Sequence, residues 1–138
     1  MDALLISLSG LLPFAEHFAA AIIFLLLFKG LYVLVTPYRE WHLIREEKNS
    51  AAATAFGGAI VGFAIALGSA ASNSVSLLDF IIWGVVALLA QLVAFALVRF
   101  IFLPGVSGDI EANKLSAGLI VAATSVAVGI LNAACMTY

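Results

Sequence analysis

Residues 77–102 read LLDFIIWGVVALLAQLVAFALVRFIF, and this stretch decides the fold class. Its two charges, Asp79 and Arg99, sit near its ends, and the amide of Gln91 lies close to its middle. A helix that crosses the hydrocarbon layer of a bilayer needs about 20 mostly apolar residues, and this run supplies them. It opens on Ser76-Leu77-Leu78-Asp79, a Ser-x-x-acid spacing in which hydroxyl and carboxylate satisfy the free N–H groups of a helix start. It closes at Leu103-Pro104-Gly105.

Three further stretches read the same way. Residues 14–35 form the first span and stop at Thr36-Pro37, because proline disfavours helix in the residue before it. Residues 51–71 are rich in Ala and Gly; they are the least hydropathic of the four and are expected inside the bundle. Residues 115–136 form the last span. The connections are residues 36–50, a short turn at 72–75, and residues 103–114, which leaves nothing for an extramembrane domain. The chain of 138 residues is 64% hydrophobic and only 10% charged, with a mean hydropathy of +1.19. A soluble domain carries about 25% charged residues, so lipid is the expected surroundings. The reading is an all-α integral membrane protein of four transmembrane helices in a single membrane domain. Met1-Asp2 lacks the basic start of a signal peptide, and the first apolar run meets Pro13 without a cleavage-type site.

All six basic residues, Lys29, Arg39, Arg45, Lys48, Arg99 and Lys114, lie in the two longer connections or in the helix ends beside them. Lys29 is near enough to its helix end to snorkel there. The positive-inside rule then puts residues 36–50 and 103–114 in the cytoplasm and both termini outside. In bacterial terms this is a multi-pass inner-membrane protein with periplasmic termini. Net charge is −2 with no basic patch, so nucleic acid is not an expected partner. The single Cys135 excludes an internal disulfide. No His/Cys metal cluster, phosphate loop or nucleophile elbow is present, so neither a metal, a cofactor nor an enzymatic activity is expected.

The second and fourth spans are introduced by one pattern, Glu47-x-Asn49-x-x-x-Ala53 and Glu111-x-Asn113-x-x-x-Ala117. Each copy follows a basic helix end and a proline, nearly half the chain apart. This reads as a tandem duplication of a two-helix unit, residues 14–71 and 77–138, with both copies running the same way through the membrane. The segments Thr36-Pro37-x-x-Glu40-Trp41-x-Leu43-Ile44, residues 49–62, Asn113-x-x-x-Ala117-Gly118 and Asn132-Ala133-Ala134-Cys135-Met136-Thr137 resemble the YjfL family of small bacterial inner-membrane proteins. The resemblance runs from about residue 20 to the C-terminus and leaves Glu16-His17 unmatched. It implies a duplicated domain of unknown function and a four-helix inner-membrane architecture, with no substrate or activity attached.

Several residues carry two readings. Thr54, Gly58, Gly62, Ala66 and Ala70 recur every fourth position, as Ser125, Gly129 and Ala133 do in the last span; such stripes let helix backbones approach closely. Packing within one chain is the simpler outcome and an oligomer contact the sharper one. The even-numbered spans are then expected to form the interior. Glu16 and His17 read as a hydrated helix start or as a titratable pair. Lys29 either snorkels or pairs inside the bundle. Gln91 and Asn132 need hydrogen-bond partners, Gln91 most of all, since an amide in mid-membrane must find one on another helix. Tyr38, Trp41 and Ile44 suggest the apolar edge of an interfacial segment, with Arg39, Glu40, Glu46 and Glu47 facing water. The repeated Glu47, Asn49, Glu111 and Asn113 either cap their own helices or converge on one polar or ion site.

Two functions follow from these residues. One is a homo-oligomeric membrane scaffold or accessory subunit that docks a cytoplasmic protein partner and is otherwise surrounded by membrane lipid. The other is a small transporter or channel with its site between the repeats.

Overall fold

The computed structural model describes residues 1–136; Thr137, which ends the last of the sequence motifs, lies outside them. Among the described residues the chain is helical, with four helices long and apolar enough to cross a membrane. The first span is α1 (Asp2–Ser9) followed, after a break at Gly10, by α2 (Leu11–Val35). It therefore starts earlier than the expected residue 14. Pro13 is tolerated because it lies in the first turn of α2, where its missing N–H has no helical partner in any case. At Thr36 the backbone turns extended, at φ −90° and ψ 135°, as the following proline demands.

After α2 come a six-residue helix α3 (Glu40–Arg45) and the second span, α4 (Ser50–Asn73). The third span is α5 (Leu77–Leu97), whose last turn widens into a π-helical coil over Val98–Phe102. Ser76 Oγ accepts from the Asp79 N–H at 3.1 Å, and Asp79 Oδ2 from the Val75 N–H at 3.0 Å, which is the start the Ser-x-x-acid spacing implies. A second six-residue helix, α6 (Val106–Glu111), precedes the fourth span, α7 (Leu115–Cys135). The connection 103–114 is thus partly helical. Val106 and Ile110, one turn apart, are both fully buried and anchor it.

The helices α4 and α7 run parallel and touch backbone to backbone. A methyl group added at Gly58 would overlap Ala122, at Gly62 the Ser125 carbonyl, at Gly118 the Ala51 carbonyl, and at Gly129 the Gly62 carbonyl. The small-residue stripe is therefore used inside one chain. The interior is nevertheless not made by the even-numbered spans. The second and third spans are the more buried pair, while the fourth leaves a broad apolar face outward. The reason lies on α5. Gly84 admits the ring of Phe24, and Gln91 and the Ala87 carbonyl hold α7, so α5 is clamped between α2 and α7.

Buried side chains form two layers. One holds Phe24, Phe28, Tyr32, Phe63, Phe80 and Leu88 within the bundle. The other joins Tyr38, Leu43, Ala52, Phe95, Val106 and Ile110 at the end that carries the two longer connections, called here the connection end.

Candidate functional site

The sequence-selected residues fall in three places. At the level of Asp79, Glu16 is exposed and the His17 ring stacks on Phe80, 5.5 Å between centroids, with Nδ1 2.8 Å from the Pro13 carbonyl oxygen. The pair lies in the second turn of α2, well past Asp2 where the first span begins, and so not at a helix start. In mid-bundle, Gln91 is buried, and its Nε2 donates to the Ser125 carbonyl at 2.6 Å. Its Oε1 is buried with no partner. Nearer the termini, Asn132 Nδ2 donates to the Ala87 carbonyl at 3.3 Å, and Ser69 Oγ to the Ala133 carbonyl at 3.0 Å. These amides tie helices together across the seam.

The third place is the connection end. Asn49 is buried; its side-chain oxygen accepts from the Ala52 N–H at 2.8 Å and its Nδ2 donates to the Ile110 carbonyl at 2.7 Å. Asn113 accepts from the Ala51 N–H at 3.0 Å, at the start of α4 rather than of its own helix. The two amides thus converge, each reaching the other half of the chain. The two carboxylates do not join them. Glu47 and Glu111 stay exposed and line one open cleft of about 300 Å³ with Tyr38, Arg39, His42 and Leu43. In it His42 Nε2 lies 3.3 Å from Glu47 Oε2. Among the described residues no group of three or more His, Cys, Asp or Glu is placed to hold a metal ion.

The residue that sequence reasoning missed is Glu40. It was expected to face water and is only 1% exposed. Pro37 bends the chain so that α3 lies back against α4, with Glu40 and Leu43, and Tyr38 just before the helix, buried against the bundle. Trp41 remains partly exposed, packed at 5.7 Å on Phe56 and covered by the Lys29 ammonium 4.5 Å from its ring. Lys29 therefore pairs with an aromatic ring on α3.

Glu40 Oε1 is hydrogen-bonded to Thr36 Oγ1, while Oε2 is buried without a partner. The hydroxyls of Tyr32 and Tyr38 are also buried and unpartnered. Phe56 and Phe95 pack edge-on against Tyr32, and Phe95 against Tyr38, at 5.4–6.2 Å between centroids. Loss of water raises the Glu40 pKa from an ordinary 4.5 to about 7, opposed by a backbone hydrogen bond. Burial also pushes the Tyr38 phenol up; the Tyr32 hydroxyl eases that shift, and the Glu40 and Glu111 charges add to it.

These features define a class: a small polytopic membrane protein whose polar groups are either tied across helix seams or gathered at one end. The chain belongs to the DUF350 family (Domain of Unknown Function), which matches residues 6–136. It is 40% identical over 131 residues to the UPF0719 inner membrane protein YjfL of Escherichia coli (strain K12), covering 95% of this chain and 98% of that protein. It is 34% identical over 91 residues to the UPF0719 transmembrane protein YshE of Bacillus subtilis (strain 168), covering 66% and 67%. The family match reaches further toward the N-terminus than the motifs do and takes in Glu16 and His17. No solved structure matches the chain.

Proposed function

We propose that this protein is a non-enzymatic scaffold or accessory subunit of the bacterial inner membrane, with its connection end in the cytoplasm as the docking face. One observation carries the reading. The seam between α4 and α7 is closed by backbone contact at Gly58, Gly62, Gly118 and Gly129, whereas the clefts lined by charged side chains lie at α3 and the start of the connections. A transporter needs a hydrated route along the bundle, and the backbone contact at these glycines leaves no room for one in the α4–α7 seam. The location is supported by the inner-membrane designation of the 40%-identical relative and the side by the positive-inside rule.

A tandem duplication is part of the proposal. Each half orders a span, a six-residue helix, a residue with positive φ (Lys48 at 54°, Asn113 at 59°) and a second span. Self-association belongs to the first span, whose outer face exposes Leu26, Leu27 and Leu34, because the glycine stripe is already filled.

The buried, unpartnered Oε1 of Gln91 favours the rival reading, a polar-solute or ion pathway. Two measurements separate them. Photo-crosslinking residues at His42 and Glu47 in growing cells should give one discrete adduct that the same residue at Ser74 does not. Purified protein in liposomes should show no proton, potassium or small-solute flux. Flux that Gln91→Leu abolishes, without discrete adducts, would overturn the scaffold reading in favour of transport.

A further inference from the structure

The surroundings of Glu40 favour its protonated state. A threonine hydroxyl has one hydrogen to donate. Thr36 Oγ1 lies 2.9 Å from the Tyr32 carbonyl oxygen one turn back, so its single hydrogen is shared between two acceptors. The same Oγ1 is bonded to Glu40 Oε1. Glu40 Oε2 is buried with no partner, so the pocket offers an ionised carboxylate little to hold it and favours the neutral acid. Among the described residues no Lys or Arg forms an ion pair with Glu40. From α2 it is faced by Tyr32 and Thr36, from the connection by Tyr38, and from α6 by Glu111 across Tyr38. The helices α4 and α5 contribute uncharged Phe56 and Phe95 to the tyrosines around it. On α3 itself, His42 is held outward by Glu46 and Glu47 at 3.9 and 3.3 Å, Arg39 is exposed, and the Lys29 ammonium is over Trp41.

We propose that Glu40 is a proton-binding site that controls the position of α3: protonated, it docks the helix on the bundle through Thr36, and ionised, it releases the helix toward solvent. The reaction is one proton exchanged between the carboxyl group and water, with no other bond made or broken. The sign follows from the raised pKa. Docking is fully favoured below about 4.5, weakens as pH rises through about 7, and is weakest above that. A released α3 reshapes the cleft of Arg39, His42, Glu47 and Glu111, so the device sits where cytoplasmic proton concentration would alter the docking face. The switch itself holds whatever that face binds.

Trp41 reports on it. In full-length protein carrying Trp83→Phe, in lipid nanodiscs, acrylamide quenching of Trp41 is followed from pH 5 to pH 9. Quenching should rise at least twofold with a midpoint near 7. Glu40→Gln, a neutral isostere of the acid, should hold it at the low-pH level throughout. Thr36→Val removes a hydroxyl that donates to the carboxyl group and should move the midpoint to higher pH. His42→Asn should leave it in place. A flat profile in the parent, a transition that survives Glu40→Gln, or one that disappears with His42→Asn would overturn the proposal. Should Glu40→Gln fail to give monodisperse helical protein, an unchanged midpoint in Thr36→Val overturns it equally.

Discussion

The amide of Asn49 holds the first turn of α4 with its oxygen and the Ile110 carbonyl with its nitrogen. Asn49→Ala removes both bonds and leaves the buried Ala52 N–H unpaired, while the Ile110 carbonyl keeps the Asn113 N–H, at about 1–2 kcal/mol. The Asn113 side chain accepts from the Ala51 N–H at a φ of 59°, where a residue with a Cβ is strained by about 1–2 kcal/mol and Asn is better tolerated than most. Asn113→Gly should therefore be milder than Asn113→Ala, since glycine keeps the backbone and loses only the bond. Thermal unfolding of the three variants in detergent checks the order; equal losses for Gly and Ala would mean the left-handed turn carries no strain. The repeated Glu-x-Asn spelling pointed to both amides, and both proved to be cross-half ties. It did not reveal their unequal roles, because the positive-φ residue is Lys48 in one half and Asn113 in the other, one place out of step with the motif. Glu40 was hidden for a different reason. Arg39-Glu40 and Glu46-Glu47 look alike as charged pairs, and only the bend at Pro37 and the tertiary contact with α4 separate the buried acid from the solvated ones.

At the level of elements, packing makes two glycines on one helix behave in opposite ways. Gly62 has the Ser125 carbonyl and the Gln91 amide where its Cβ would be, whereas Gly57 has nothing within 4 Å. Gly62→Ala must push α4 and α7 apart and should lose about 1–3 kcal/mol. Gly57→Ala meets open space and gains the helical preference of alanine, about 0.5–1 kcal/mol. Melting temperatures in one detergent should move in opposite directions; a stable Gly62→Ala would show that the seam can open. Spacing alone located this stripe, since a period of four marks one helix face. It could not say which helix would flank which, and so the third span's share of the interior went unread: Gly84 and Gln91 are isolated residues without a period. The helix α6 was legible in principle from Val106 and Ile110, one turn apart, but six residues between prolines and charges carry too short a pattern to stand out.

For the molecule as a whole, hydropathy exposed the four spans because lipid imposes one composition on every outward face; three lie within a few residues of their expected bounds, and the first begins at Asp2 and not at residue 14. Sidedness rests on a different physical quantity, the distribution of six basic residues, which the folded bundle does not itself encode. Cys135 is free and exposed at the end opposite the connections, so the native protein already carries one reporter. An impermeant maleimide added to intact cells should label Cys135. In a Cys135→Ala background it should label Ser74→Cys but reach Glu46→Cys only after the membrane is permeabilised. The reverse pattern would place the connection end outside and remove the cytoplasm from contact with Glu40. Comparable labelling of both sites would mean that the chain inserts both ways; with every Lys and Arg on one side, the charge asymmetry disfavours that outcome.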